Sequence, residues 1–471
     1  MDQSVSRRTF MKTSAAAGVA LQMAAVWAQE KGPRRLKVGL VGAGGRGKGA
    51  AGDCMEAAKS LGIELQVVAV ADAVEERAKD AAKQFGVAPE RCFWGFDAYR
   101  KVMETEADLV ILATSPNFRP LHLEAAIDAG KNVFMEKPVA VDPPGIRRVI
   151  AAGEKAKTKG LSIVAGTQRR HQAGYLANQF LASQGAIGKI VGGSVSWCGG
   201  KLWYQARKPG ESDALYMVRN WVSFTEMSGD HIVEQHVHNL DVANWYIGRP
   251  PVSAVGFGGR ARRQTGNQFD FFSIDFDYDD NVHIHSMCRQ VDKCYNAVRE
   301  FFVGSEGSMW GAGKVTSTNN KQIAVPEYKV HGNPYVEEHV ALLQSIVDGK
   351  PVNEAQAVAE ATMAAIMGRI AAYTGDLVKW SDLMTKQDSA LYGLTLKPSA
   401  EDFEKGEVVA PKDDVWRFRA RPRTLQGWRS LYATRESHFG MSGPPLEAGF
   451  SATRPRHTEM PRSSPAGRGL Y

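Results

Sequence analysis

The chain has 471 residues, 44% of them apolar, and a formal charge of +7; this length suits two or three domains. The charge is local, because Trp416 to Tyr471 holds ten arginines, no lysine and three glutamates, which accounts for all of it. The balanced remainder gives no reason to expect nucleic acid or an acidic membrane surface as a partner. Five scattered cysteines without a Cys-x-x-Cys pair argue against a disulfide framework and a cysteine-built zinc site. No run approaches the ~18 apolar residues of a membrane span.

Residues 1–28 read as a twin-arginine signal peptide. Ser6-Arg7-Arg8-Thr9-Phe10-Met11-Lys12 precedes a mildly apolar, alanine-rich stretch, and Val26-Trp27-Ala28 offers a small-residue cleavage site. That route carries folded proteins. The expectation is therefore a periplasmic or otherwise exported protein that leaves with a tightly bound cofactor, which also suits unpaired cysteines.

Residues 35–155 read as a dinucleotide-binding domain. The strand Lys37-Val38-Gly39-Leu40-Val41 runs into Gly42-Ala43-Gly44-Gly45-Arg46-Gly47, which opens a helix to Ser60. G-x-G-x-x-G between strand and helix brings backbone N–H groups up to a pyrophosphate at a helix N-terminus. A second strand, from Gln66, ends in Asp72, where a carboxylate meets a ribose and repels a 2′-phosphate. NAD is expected, with NADP kept possible by Arg77. Strands and helices go on alternating. Leu109-Val110-Ile111-Leu112 leads to the polar turn Thr114-Ser115-Pro116-Asn117, and a helix from Pro120 stops at Gly130. The short apolar strand Val133-Phe134-Met135 then ends in Glu136-Lys137-Pro138. This rhythm predicts an α/β fold with a doubly wound parallel sheet. A lysine at the carboxyl edge of such a sheet stands where ligands bind and can donate to a reacting oxygen.

In this order, Gly42-x-Gly44-x-x-Gly47, Ser115-Pro116-Asn117, His122, Ala129-Gly130-Lys131 and Glu136-Lys137-Pro138 resemble the Gfo/Idh/MocA (glucose–fructose oxidoreductase/inositol dehydrogenase) family, over about Leu36 to Trp380. The resemblance implies a Rossmann domain followed by an α+β substrate and oligomerisation domain, here 156–400, with a large open, mainly antiparallel sheet. It implies a homodimer or homotetramer. It implies cofactor contacts at Gly42, Gly44, Arg46, Gly47, Asp72, Ser115, Asn117, His122, Glu136 and Lys137, with Lys137 catalytic beside the nicotinamide.

In the second domain, a strand from Leu161 delivers Gln168, Arg169 and His171 to the same edge, and the resemblance makes Gln168 and Arg169 pocket residues. Consecutive β segments follow from Lys189 to Val303, with Asp279-Asp280-Asn281 as a hairpin turn. Between Gly199 and Trp221 an aromatic, glycine-rich loop offers Tyr204 and Trp221 to a sugar face, with packing an equal reading for its tryptophans. Ser228 to Asp241 reads as a helix on which Glu234 and His238, four apart, share a face. A family pattern, Asp-x-Gly-x-His-x-x-Asp, is similar to Glu234, His236, His238 and Asp241, with Glu and His replacing the first Asp and the glycine. It implies His238 as acid/base and substrate contact, and Glu234 as its partner. A histidine pKa near ~6.5 suits that role. His231, Glu234 and His238 lack the tight His-Glu-x-x-His spacing, so no metal is expected.

Residues 401–471 read as an extended tail, disordered from about 416. The function expected is NAD(P)-linked hydride transfer at a hydroxyl carbon of a small-molecule carbohydrate: a sugar, cyclitol or sugar derivative. One alternative is an NAD-dependent glycoside hydrolase working by oxidation and elimination with a retained cofactor. The other is a non-catalytic sugar-binding protein.

Overall fold

The computed structural model describes residues 34–328, 330 and 332–411. The signal peptide expected over 1–28 and the disorder expected from about 416 lie outside them. Among the described residues the chain first builds β1 (Arg34–Val41), α1 (Gly45–Ser60), β2 (Ile63–Asp72), α2 (Glu75–Phe85), β3 (Cys92–Trp94), α3 (Tyr99–Met103), β4 (Leu109–Leu112), α4 (Arg119–Asp128), β5 (Asn132–Met135), α5 (Pro143–Lys159) and β6 (Ile163–Ala165). The six strands form one parallel sheet in the order β3-β2-β1-β4-β5-β6. Covered on both faces, β4 and β6 are buried at every residue, which is why they read as unbroken apolar runs. Helix ends follow local chemistry. Asp142 caps α5 by accepting from Gly145 N at 2.9 Å, and Gly160, at φ +66°, stops it. The strand order reverses between β1 and β4, so a crevice opens outside their carboxyl ends. Gly42–Gly47 and Thr114–Asn117 sit there.

The second part adds α6 (Ala173–Ser183), β7 (Ile190–Gly199), α7 (Asp213–Arg219), α8 (Thr225–Ser228), α9 (His231–Glu234), α10 (Val237–Ile247), β8 (Ser253–Gly259), β9 (Phe271–Asp277), β10 (His283–Gln290), β11 (Ala297–Gly304), β12 (Gly307–Trp310) and β13 (Val315–Ser317). It closes with α11 (Pro334–Asp348), α12 (Ala355–Thr374), β14 (Val378–Lys379), α13 (Trp380–Met384) and α14 (Ala400–Lys405). The sheet runs β13-β12-β11-β7-β10-β9-β8-β14, antiparallel except where β10 lies parallel to β7. Strands β9 and β10 alternate in burial, so one face is covered and the other open. Helix α12, buried along most of its length, packs against β8, α5 and α10. Helix α11 returns to the first sheet and puts Val336, Leu342 and Leu343 into one core with Val38, Leu40 and Ile111. Among the described residues no helix is long and apolar enough to cross a membrane.

Two sequence expectations differ from the fold. The tail expected from 401 begins as α14, because Ser399 and Asp402 form a capping box and Phe403 buries between Phe96 and Phe118, with ring centroids at 5.2 and 5.0 Å. The single helix expected over Ser228 to Asp241 is broken into α8, α9 and α10. Gly229 and Asp230 take φ of +77° and +83°, and the Asp230 carboxylate holds its own strained backbone by accepting from His231 N at 2.6 Å and the Tyr373 hydroxyl at 2.6 Å. A second break falls at Gln235 and His236, where His236 N reaches back five residues to His231 O at 3.3 Å. Glu234 and His238 therefore face the site from either side of a turn rather than from one helix face.

Candidate active site

The crevice is shaped by glycine. A Cβ on Gly42 (φ +92°) would lie 2.5 Å from Thr114 N, and one on Gly47 would lie 1.8 Å from Gly42 O, so the chain's own packing demands both. A Cβ on Gly44 would meet nothing within 4 Å and would project into open space before the N-terminus of α1. That is the cradle a diphosphate needs. The Asp72 carboxylate accepts from Ala43 N at 2.7 Å and Val74 N at 2.8 Å, tying the loop to the end of β2, and burial raises its pKa. Beside it lies a small open cleft lined by Asp72, Phe96, Tyr99, Thr114, Phe118 and His122. Ser115 donates to Asn117 Oδ1 at 3.0 Å, and Asn117 Nδ2 donates to Met227 Sδ at 3.3 Å. His122 meets the Thr114 hydroxyl at 3.2 Å and stacks on Phe118; burial drops its pKa to about 3 and keeps it neutral. Cradle, cleft and carboxylate together fit a dinucleotide.

Arg46, in the first turn of α1, reaches Glu136 at 2.5 Å, Asp53 at 3.0 Å and Glu338 at 3.8 Å, and lies over the Tyr335 ring. It links the glycine-rich loop, the end of β5 and helix α11. Gln168 joins the same group, donating to the Tyr335 hydroxyl at 3.4 Å.

Lys137, one residue on from Glu136, donates from Nζ to the main-chain carbonyl of Glu234 at 2.7 Å. Burial lowers its pKa, and the Glu234 and Glu136 carboxylates partly offset that. Glu234 is buried, which raises its own pKa against the pull of Lys137 and Arg263. His238 stacks on Trp197 at 5.6 Å between centroids. Burial, then the charges of Lys137 and Arg169, hold its pKa well below the usual value, so the imidazole is neutral. The structure thus brings Lys137, Glu234 and His238 to one edge.

Arg169 is buried, forms an ion pair with Glu300 and lies over the Trp197 ring at 5.4 Å. Arg170 grips Asp241 with both arms, at 2.8 and 2.9 Å. Tyr204 shares a 2.7 Å hydrogen bond with the Tyr216 hydroxyl, and Trp221 meets Trp203 edge-on at 6.1 Å. His231 faces Trp197 O at 3.4 Å and His236 meets the Ser286 hydroxyl at 2.7 Å. Among the described residues no three His, Cys, Asp or Glu side chains converge as metal ligands.

Sequence reasoning passed over Trp197, Asn239 and Glu300 around His238, and Tyr335 and Glu338 around Arg46. A glutamate directly before the apolar run Phe301–Val303 was the signal for Glu300. The others lie on elements whose facing residues come from far along the chain.

Two family models match in succession. "Oxidoreductase family, NAD-binding Rossmann fold" covers 36–163 and "GFO/IDH/MocA C-terminal domain" covers 176–310, together more than half of the chain. A scyllo-inositol 2-dehydrogenase (NAD(+)) of Bacillus subtilis (strain 168) is 25% identical over 193 residues, 41% of this chain and 49% of that one. An inositol 2-dehydrogenase of Klebsiella pneumoniae (strain 342) is 36% identical over 156 residues, 32% of this chain and 43% of that one. The chain thus spans about half the length of these curated relatives. Among solved structures, an aldose-aldose oxidoreductase of Caulobacter crescentus superposes with a TM-score of 0.58 at 18% identity, over 74% of this chain and 100% of that one. A scyllo-inositol dehydrogenase of Lactobacillus casei gives 0.56 at 21% identity, over 74% and 99%. These likenesses speak for the fold, and with the two consecutive models they place this chain in the Gfo/Idh/MocA family.

Proposed function

We propose that the protein is an NAD-dependent oxidoreductase acting at a hydroxyl carbon of a sugar, cyclitol or sugar derivative. The observation that carries this is the meeting of Lys137 with the Glu234–His238 turn at the carboxyl edge of the parallel sheet, next to the glycine-rich crevice. The relatives named as inositol dehydrogenases support a polyol substrate.

Gly42, Gly44, Gly47, Asp72, Ser115 and Asn117 would hold the dinucleotide, whose nicotinamide supplies a hydride acceptor when bound. His238, neutral, takes the proton of the substrate hydroxyl. Lys137 spends one of its three N–H groups on Glu234 O and has two for the substrate oxygen, whose developing charge they stabilise. Glu234 orients the turn and supports the ammonium. Asp72 favours NAD over NADP. The proposal extends to export by the twin-arginine route with NAD retained, on the strength of Arg7 and Arg8. It extends also to a homodimer or homotetramer, on the strength of Val255, Phe257 and Met287 exposed on strands of the second sheet.

The test is to purify the mature protein, denature it, and identify the released nucleotide by mass spectrometry. Myo-inositol and related polyols are then supplied with NAD. Stoichiometric NAD with net formation of NADH on a polyol supports the proposal. Release of an aglycone from a glycoside without net NADH would replace it with oxidation and elimination. Sugar binding without redox change or cleavage would leave a binding protein.

A further inference from the structure

Glu300 is a buried carboxylate for which the proposed reaction has no use. It is 2% exposed, on β11, and it pairs with the buried guanidinium of Arg169. It also accepts from Asn239 Nδ2 at 2.6 Å and from the Tyr175 hydroxyl at 3.0 Å. At its back, a Cβ on Gly311 would come within 2.2 Å of its Oε2, so the neighbouring backbone closes on it tightly. A buried ion pair is poor value for stability, because desolvating two charges offsets most of their attraction and apolar side chains would pack as well.

Its partners suggest another purpose. Arg169 lies over the Trp197 ring at 5.4 Å, and that ring stacks on the His238 imidazole at 5.6 Å and 25°. Asn239 is the residue after His238. One path therefore runs from the Glu300 carboxylate through Arg169 and Trp197 to the imidazole. A second runs through Asn239 to the backbone that carries it. We infer that Glu300 is a positioning residue for His238, fixing the ring by the Arg169–Trp197 stack and the main chain by Asn239; this rests on His238 being the proton acceptor. Glu300 touches neither substrate nor cofactor.

The same carboxylate balances a charge. Besides burial, the charges of Lys137 and Arg169 bear on His238, and both oppose a positive imidazolium. Without Glu300, Arg169 would stand uncompensated near a ring that must gain a proton in every turnover. The ion pair with Glu300 thus tempers the Arg169 charge, which already opposes the ring's protonation.

A single substitution would strand one buried charge, so the variant is Arg169→Gln with Glu300→Gln, made in the full chain with NAD present. Asn239→Ala is an independent cut that leaves the ion pair in place. The readout is the ring-nitrogen NMR signal of His238 in protein carrying 15N-histidine, assigned by its loss in His238→Asn. In the wild type one neutral tautomer is expected. In the double variant, at unchanged melting temperature and NAD affinity, the signal is expected to shift and average between tautomers, and kcat on myo-inositol to fall about 10–100-fold. Asn239→Ala should move the same signal by less. If the signal is unchanged in whichever of these variants folds, the inference is overturned. Absence of polyol turnover in the wild type would instead count against the functional reading, and the NMR signal would still decide the positioning role.

Discussion

The ammonium of Lys137 donates to the main-chain carbonyl of Glu234 at 2.7 Å. That bond joins the carboxyl end of β5 to the turn between α9 and α10, so the two halves of the site are referenced to each other through backbone rather than through a flexible carboxylate. A lysine held this way is aimed. Replacing it by alanine removes the donor to the substrate oxygen while leaving the glycine cradle and Asp72 untouched. Lys137→Ala should lower kcat by about 10²–10⁴-fold, with NAD affinity, measured by calorimetry, within a few-fold of wild type. Near-normal turnover in this variant would remove Lys137 from the mechanism.

Glu234 should act on Lys137 through charge. Burial depresses the lysine pKa, and the Glu234 carboxylate works in the opposite direction. The ammonium is the active form, so rate falls on the alkaline side as the lysine loses its proton, below the ordinary value of ~10.4. Glu234→Gln removes the supporting negative charge, and the lysine then deprotonates at lower pH. The alkaline limb of the rate profile should move to lower pH in Glu234→Gln. An unmoved limb would mean that another group titrates there.

Two glycines of the crevice should separate packing from binding. Gly47 has Gly42 O only 1.8 Å from where a Cβ would stand, so Gly47→Ala must displace backbone, and its melting temperature should drop. Gly44 faces open space, so Gly44→Ala should melt like wild type yet bind NAD at least tenfold more weakly, because its methyl group occupies the diphosphate cradle. Equal melting and equal NAD affinity in Gly44→Ala would place the diphosphate elsewhere.

How much of this was legible in the sequence depended on range. The parallel sheet was, because β4 and β5 are buried on both faces and write that as unbroken apolar runs between turn residues. The hairpin at Asp279-Asp280-Asn281 was too, since all three adopt positive φ, which Asp and Asn tolerate better than most residues. The helix drawn from Ser228 to Asp241 was not. Four-residue spacing describes a continuous helix, and nothing in it reveals that Asp230 would be held at φ +83° by Tyr373, 143 residues away. The surroundings of His238 were hidden for the same reason. Trp197, Arg169 and Glu300 come from β7, the segment after β6, and β11, and only the sheet's register brings them to one ring.

One buried histidine gives a stability prediction that needs no substrate. His339 is fully buried on α11, and its ring lies tilted against Phe134 with centroids 4.1 Å apart. Burial, with Arg46 and His171 adding to it, pushes its pKa down to about 3. In the unfolded chain the ordinary value is ~6.5. Between those two values the unfolded state binds a proton that the folded state refuses, so stability is intact above the unfolded pKa and is lost as pH falls toward about 3. The loss from this one residue is about 1.4 kcal/mol per pH unit. His339→Phe keeps a ring against Phe134 and cannot take the proton. Its melting temperature relative to wild type should therefore rise steadily as pH is lowered from about 6.5 toward 4, while His122, His231 and His236 continue to destabilise both proteins alike. Unfolding curves at a series of pH values check this; a difference that stays constant with pH would mean that His339 is protonated in the folded protein.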